Sequence, residues 1–241
     1  TLRLSGPVDR DHLNLLEAAI VAVRNELSEA DGFNRLVLQA GLSWPQISVL
    51  RAYAKYMRQI GSPFAPESIE DALHRNTGVA RLLVAGFAAK FDPAVPAGER
   101  LARVDEAMSR LSDAIDVVDS LDHDRILRSY ATMIEATDRT NHFKEEPGSA
   151  GRCLALKLRP TAIPDTPAPR PRFEVFVHSP RVEGVHMRFG PIARGGLRWS
   201  DRRDDFRTEV LGLAKAQMVK NSLIVPVGAK GGFFCKKIPD A

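Results

Sequence analysis

The sequence predicts an α+β fold in which a helical amino-terminal region is followed by a small sheet with packed helices. Apolar residues recur at helical spacing through residues 1–138, whereas from about residue 150 they alternate with polar residues, as in half-buried strands. Between the two patterns, Pro147-Gly148-Ser149 is typical of a turn. We therefore divide the chain into a helical region, residues 1–145, with a structural or assembly role, and an α/β segment, residues 146–241.

The helical region opens with two segments whose starts are marked by polar residues. Asp9 and Asp11 suit the start of the first helix. A second helix begins at Ser43, has Pro45 in its first turn and ends before Gly61. The apolar residues that recur on one face of the first helix are Leu13, Leu16, Ala19, Ile20 and Val23.

Two longer stretches complete the helical region. The first covers residues 65–91 and carries a break near Gly78. The second covers residues 99–136, where the part around residues 121–134 is able to form a helix of its own. Residues 92–98 between the two stretches are rich in turn-forming residues.

The α/β segment contains short strands and one further helix. The predicted strands span residues 154–158, 173–177 and 185–189. Residues 163–171 are rich in proline and are therefore predicted to form a loop. Helical spacing returns over residues 204–220. Residues 223–227 favour a strand but contain a proline, which predicts an edge strand.

Composition places the chain among soluble globular proteins, with 44% hydrophobic and 27% charged residues. No apolar window is long enough to span a bilayer, and the first residues lack the pattern of a signal peptide. Cys153 and Cys235 are far apart in the sequence, and we interpret them as reduced thiols. We therefore expect a cytoplasmic protein. An initiator methionine is absent, as expected of a piece of a longer protein.

The net charge is +4, from 34 basic and 30 acidic residues. The basic residues do not form a polycationic run, so a small anion explains them as well as nucleic acid, and we predict no nucleic-acid partner. The histidines are scattered without the spacing of metal ligands, so we also predict no metal site.

Two glycine pairs, each led by a basic residue, are the main candidates for a functional site: Arg194-Gly195-Gly196 and Lys230-Gly231-Gly232. Glycine pairs let the backbone bend tightly and approach a ligand closely. A cation at each bend would bind a small dicarboxylate, with one carboxylate for each basic group. Between the pairs, Gln217 and Lys220 are three residues apart and lie on the same side of the predicted helix.

Each of these residues can also be interpreted without a functional role. Lys220 would then be a helix-end lysine in solvent, and Lys230 an exposed lysine of a turn. Arg194 would pair with one of the nearby aspartates, which are Asp201, Asp204 and Asp205. Against this, the small neighbours of Lys230 favour a desolvated ammonium, and desolvation lowers the pKa of lysine toward the range useful for proton transfer.

The segments around the glycine pairs resemble glutamate dehydrogenases. The segments that carry the resemblance are GPIARGGLRWSDR (190–202), KAQMVKN (215–221) and PVGAKGG (226–232). The sequence of the first segment resembles that of the large NAD-specific bacterial enzymes, and TDRTNHF (137–143) is also similar to that family. Small hexameric members usually have lysine where this chain has Arg194.

The resemblance implies a role for each candidate. Arg194, flanked by Gly195 and Gly196, would hold the distal carboxylate of the substrate. Lys220, together with Gln217, would hold the α-carboxylate. Lys230 would polarise the 2-oxo group and assist proton transfer. The implied reaction interconverts L-glutamate with 2-oxoglutarate and ammonium by hydride transfer to or from NAD, in a homo-oligomeric enzyme.

The resemblance implies that a part of the enzyme lies outside this sequence. Gly-x-Gly-x-x-Gly, the fingerprint of dinucleotide binding, does not occur. The resemblance implies that the nucleotide domain and the catalytic aspartate lie beyond Ala241, so NAD would be bound mainly by a domain outside this chain. We therefore expect that the chain alone does not turn over substrate. The alternative is a non-catalytic helical regulatory or assembly module that carries a remnant of the motif.

Overall fold

The computed structural model describes residues 9–144, 153–190, 195–220 and 228–238, with side chains up to Met218 in the third range. Within these ranges the chain forms a helical region followed by one six-stranded sheet with a helix packed on it. The predicted α+β class is confirmed. None of the described helices is long and apolar enough to cross a membrane.

The helical region is built from seven α-helices within the described residues. They are α1 (Arg10–Arg24), α2 (Leu36–Ala40), α3 (Trp44–Gln59), α4 (Pro66–Arg75), α5 (Thr77–Phe91), α6 (Ala97–Asp116) and α7 (Leu121–Ala136). Both predicted starts are confirmed, since the Asp9 carboxylate accepts from His12 N at 2.8 Å and Ser43 N donates to Gln46 Oε1 at 2.9 Å. The break predicted near Gly78 lies at Asn76. The five-residue helix α2 was not predicted, because it is too short to show a helical period.

The sheet has the strand order β1-β2-β3-β4-β6-β5. Its strands are β1 (Thr137–Thr140), β2 (Leu154–Leu158), β3 (Phe173–His178), β4 (Val182–Arg188), β5 (Leu197–Trp199) and β6 (Ala229–Cys235). All neighbouring strands are antiparallel except β5 and β6, which are parallel and are joined by the last helix, α8 (Phe206–Lys220). The strands β2 and β3 match the predicted ones closely, and β4 begins three residues before the predicted start at 185. The strands β1, β5 and β6 were missed. The edge strand predicted at 223–227 lies outside the described residues.

One hydrophobic core joins the helices to the sheet. Tyr53 and Leu83 of the helical region belong to the same buried cluster as Leu156 and Phe176 of the sheet. The ring of Tyr56 contacts the ring of Phe176, with 5.4 Å between centroids. The division at residue 145 stays a prediction, and β1, which precedes it, is part of the sheet.

The two faces of the sheet have different surroundings. Its inner face carries the buried alternate residues of each strand and packs against α3 and α8. These inner residues include Leu156, Leu158, Glu174, Phe176, His178, Glu183, Val185 and Met187. The outer face carries the residues between them, which are mostly half-buried or exposed.

Candidate functional site

The parallel pairing of β5 with β6 brings the two glycine pairs side by side. Leu197 is aligned with Gly231, and Gly231 N donates to Gly196 O at 3.1 Å. The expectation that Lys230-Gly231-Gly232 forms a bend was wrong, because all three residues lie inside β6. Arg194 itself lies outside the described residues, directly before Gly195.

Close packing explains three of the four glycines. A Cβ on Gly195 would lie 1.5 Å from the carbonyl oxygen of Ala229, which no small shift would relieve. A Cβ on Gly231 or on Gly232 would lie 2.5 Å from a neighbouring side chain. Gly196 differs, since a Cβ there would have no atom within 4 Å. The space beside Gly196 is therefore open.

Lys230 lies on the inner face, at the start of β6. It is aligned with buried Met187, and it is itself half-buried. Among the described residues, its ammonium makes neither a hydrogen bond nor an ion pair. A partly desolvated ammonium without a protein carboxylate is a ready binding group for an anion or for a polarised oxygen.

The helix α8 ends at the same side of the sheet. Since α8 connects two parallel strands, its carboxyl end must return to the point where β6 begins. Gln217 continues the buried stripe of Val210 and Ala214 on α8, and its Oε1 is buried without a hydrogen-bond partner among the described residues. The topology thus gathers the end of α8 and the starts of β5 and β6. The side chain of Lys220, the last residue of α8, lies outside the described residues.

The nearby arginines, unlike Lys230, are paired with carboxylates. Arg198 of β5 forms an ion pair with Glu209, which also accepts from Ser200 Oγ at 2.6 Å. The Ser200 hydroxyl and the Arg198 charge together hold the pKa of Glu209 below its usual value. Arg198 is therefore already neutralised by the protein.

Two of the aspartates that could form an ion pair with Arg194 are already paired with other arginines. Arg202 Nε donates to Asp205 at 2.8 Å, and Arg58 lies 3.6 Å from Asp204. This weakens the reading of Arg194 as a turn arginine that pairs with a neighbouring acid.

The first turn of α8 is anchored by a buried ion pair that the sequence did not reveal. Both nitrogens of the Arg207 fork donate to the Glu174 carboxylate at 2.7 Å, and both side chains are at most 1% exposed. Gln59 of α3 accepts from Arg207 N at 3.1 Å and donates to the carbonyl of Arg203 at 3.0 Å. The partners are far apart in sequence, so no local pattern could have indicated these contacts. They fix α8 against both the sheet and α3.

The unit β5–α8–β6 has the strand–helix–strand topology of a dinucleotide-binding unit, but it lacks the glycine-rich loop. Residues 200–205, which lead from β5 to α8, contain no glycine to let a pyrophosphate approach the backbone. They contain three aspartates and two arginines, so their net charge is slightly negative rather than positive, which does not favour phosphate at the helix start. The connection between β5 and α8 therefore lacks the features typical of a pyrophosphate-binding loop.

A second polar group, the Glu29 cluster, consists of Glu29, His178, Glu183 and Lys236. The candidate ligand atoms of Glu29, His178 and Glu183 lie within 4.8 Å of one another, as in a metal site. Lys236 Nζ, however, lies 2.7 Å from Glu29 Oε1 and 2.6 Å from Glu183 Oε1, where its ammonium supplies the positive charge. We therefore regard the cluster as an ion-pair network, and the predicted lack of a metal stays a prediction.

The electrostatics of the Glu29 cluster agree with that view. Burial favours the neutral form of Glu29, but the nearby His178 and the charge of Lys236 outweigh it and hold the pKa of Glu29 well below its usual value. Burial lowers the pKa of His178. A cavity of about 40 Å³ adjoins the cluster and is lined by Trp44 and Arg51 among others, but by none of the glycine-pair residues.

Comparison with known proteins bears on both parts of the chain. Residues 110–241 match the family described as bacterial NAD-glutamate dehydrogenase, catalytic domain. Residues 28–93 match the family described as glutamate dehydrogenase, helical motif 3. The second match covers the segment from before α2 to the end of α5.

Individual relatives carry the same name. The chain is 56% identical over 225 residues to the NAD-specific glutamate dehydrogenase of Mycobacterium tuberculosis, with 92% of this chain and 14% of the relative covered. It is 49% identical over 214 residues to the one of Halomonas elongata, with 88% and 13% covered. For the one of Pseudomonas aeruginosa the identity is 48% over 236 residues, with 96% and 15% covered.

The chain thus spans about one seventh of the length of these relatives. Its catalytic-domain match covers more than half of its residues and includes both glycine pairs, α8 and the whole described sheet. The chain belongs to the bacterial NAD-glutamate dehydrogenase family.

Proposed function

We propose that this chain supplies the amino-acid-binding part of an NAD-dependent glutamate dehydrogenase, which interconverts L-glutamate with 2-oxoglutarate and ammonium. The observation that carries the proposal is the state of Lys230. This lysine is half-buried beside the paired strands of Gly196 and Gly231, and its ammonium has no partner among the described residues. The neighbouring Arg198 and Arg207 already have carboxylate partners, which supports Lys230 as a ligand-binding cation among the described residues.

The substrate is held at both ends by the residues around this lysine. Arg194 binds the distal carboxylate, for which the planar guanidinium offers two parallel hydrogen bonds. Gly195 and Gly196 let the backbone come close, and the open space beside Gly196 admits the ligand. Lys220 and Gln217 at the end of α8 bind the α-carboxylate.

Lys230 acts on the reacting carbon of the substrate. Its ammonium donates a hydrogen bond to the 2-oxo oxygen, which makes the carbonyl carbon more electrophilic toward ammonia. As ammonia adds and the carbonyl oxygen gains negative charge, the same ammonium stabilises that charge and supplies a proton. A group that contacts developing charge lowers the barrier more than it strengthens ground-state binding.

NAD binding and assembly belong to the rest of the enzyme. Residues 200–205 do not fit a pyrophosphate, which supports a nucleotide site mainly outside this chain. Turnover by this chain alone is therefore not expected. We propose that the complete enzyme is a homo-oligomer, and that the helical region supports the fold and the assembly.

Replacing Lys230 in the intact enzyme tests the proposal. Lys230→Ala should lower kcat by about 100- to 10,000-fold, the usual contribution of a positioned proton donor. Lys215→Ala removes an exposed lysine of α8 and is the matched control, with near-normal kcat expected. Unfolding curves for both variants should match the parent protein. A folded Lys230→Ala enzyme with normal kcat would reject the proposal and favour the non-catalytic module.

A further inference from the structure

The outer face of the sheet carries many apolar residues, although it faces away from the hydrophobic core. Antiparallel sheets that leave one face in water usually place polar residues there. Here the outer positions of β3 are Phe173, Val175 and Val177, all half-buried. The outer positions of β5 are Leu197 and Trp199, which are 73% and 58% exposed.

These apolar residues form one continuous surface. The registers place Val177 opposite Gly184, Gly184 opposite Phe233 and Phe233 beside Trp199, so the surface runs across β3, β4, β6 and β5. The ring of Trp199 stacks on Phe233 of β6, with 6.1 Å between centroids. An apolar surface that extends over several strands indicates a contact with another protein segment rather than with water.

The helices that pack on the sheet use its inner face. Tyr56 of α3 contacts Phe176, and Arg207 of α8 pairs with Glu174. Val210 of α8 packs against Gly232, where an added Cβ would lie 2.5 Å from the valine side chain. All three of these contacts are made from inner positions. The described part of the chain therefore leaves the outer face without a packed helix.

The charges on the outer face are mainly positive. Its basic or titratable strand residues are Arg139, Lys157, His186 and Arg188. Asp138, at the irregularity of β1, also lies off the inner face, but Arg159 pairs with it at 2.8 Å. Lys157 Nζ lies over the ring of Phe173, 4.3 Å from its centroid, so the positive charge is at the apolar surface itself. Two copies of such a face would repel each other, whereas an acidic segment would be attracted.

We propose that an acidic amphipathic helix of the longer polypeptide docks on the outer face of this sheet. Its apolar stripe covers Val175, Phe233 and Trp199, and its carboxylates meet Lys157 and the neighbouring basic side chains. The relatives supply the room for such a segment, since this chain spans only 13–15% of their length. A helix is the expected cover, because sheets bury an apolar face against helices or a second sheet. The proposal is independent of the chemistry assigned to Lys230.

Zero-length carbodiimide cross-linking of the intact enzyme, followed by peptide mass spectrometry, tests this docking. The reagent joins an ammonium to a carboxylate only when the two are in contact. We expect Lys157 to be linked to Asp or Glu of a helix outside residues 1–241. Lys237 and Glu26, which lie 2.7 Å apart, provide the positive control for the reaction. Mixing isotopically light and heavy subunits distinguishes links within one polypeptide from links between copies.

Hydroxyl-radical footprinting gives a second readout that does not depend on charge. Leu197 on the outer face and Leu101 on α6 are both 73% exposed in this chain, so they form a matched pair. In the intact enzyme Leu197 should be oxidised several times more slowly than Leu101. Equal oxidation of the two leucines, the absence of a Lys157 link, or a link to a second copy would each overturn the proposal.

Discussion

The helical region and the sheet differ in what they bury. The interior of the helical region is mostly apolar, as at Leu50, Ile69 and Leu83, and its buried Arg51 with partner Asp31 is an exception. The inner face of the sheet and the start of α8 instead bury charged or titratable groups, namely Glu174, His178, Glu183 and Arg207. Apolar contacts tolerate exchange at modest cost, whereas a buried charge needs its partner. The helical region is therefore suited to support, and the sheet to polar chemistry.

The largest effect should come from breaking the buried ion pair of the sheet. Arg207→Met leaves the Glu174 carboxylate buried without a partner, which should destabilise the fold by about 3–5 kcal/mol. The measurement is urea unfolding. Replacing Arg103, whose pair with Glu99 is exposed on α6, should cost less than about 1 kcal/mol.

A double variant sharpens this comparison. With Arg207→Met and Glu174→Leu together, no lone charge remains, and much of the lost stability should return. If Arg207→Met costs no more than the Arg103 variant, the sheet does not depend on its buried charges and the contrast with the helical region fails.

A smaller effect separates the two glycines of the first pair. In Gly195→Ala the new methyl group clashes with the carbonyl of Ala229, which should cost about 1–3 kcal/mol as β5 shifts away from β6. In Gly196→Ala the methyl group enters open space, so stability should change by less than about 0.5 kcal/mol.

The activity of the Gly196→Ala variant tests the role of the open space beside Gly196. If the ligand occupies the space beside Gly196, Gly196→Ala should lower kcat/KM although its unfolding curve is unchanged. A Gly196→Ala enzyme with normal kcat/KM would exclude that position from the ligand site, and equal destabilisation by both variants would contradict the packing account.

Apart from the short helix α2, the helices were predictable from sequence because their signals are local. The stripe of α1, the caps at Asp9 and Ser43, and the proline of α3 all act within a few residues of one another. The strands β2 and β3 were predictable for the same reason, since the alternation of apolar residues follows the pleat.

The end of the sheet was not predictable, because its causes are far apart in sequence. Gly231 and Gly232 resemble a turn when read locally, but they are small because Leu197 and Val210 occupy the adjoining space. The three residues of β5 are all exposed, so they show no alternation. The local sequence motifs indicated the two glycine pairs as a candidate site. Their contact through β5 and β6 follows only from the fold. The residues assigned to the site stay predictions.

The central claim is that the ammonium of Lys230, which has no partner among the described residues, is held for the substrate. Lysine acetylation in the intact enzyme tests it directly. Peptide-level acetylation rates of Lys230 and of Lys215 would be measured while 2-oxoglutarate or pyruvate is added. We predict that 2-oxoglutarate slows acetylation of Lys230 in a saturable way, that the monocarboxylate pyruvate protects less, and that Lys215 is unaffected. Arg194→Ala should remove the difference between the two ligands, because the distal carboxylate loses its partner. Acetylation of Lys230 at the same rate with and without saturating 2-oxoglutarate would contradict the account.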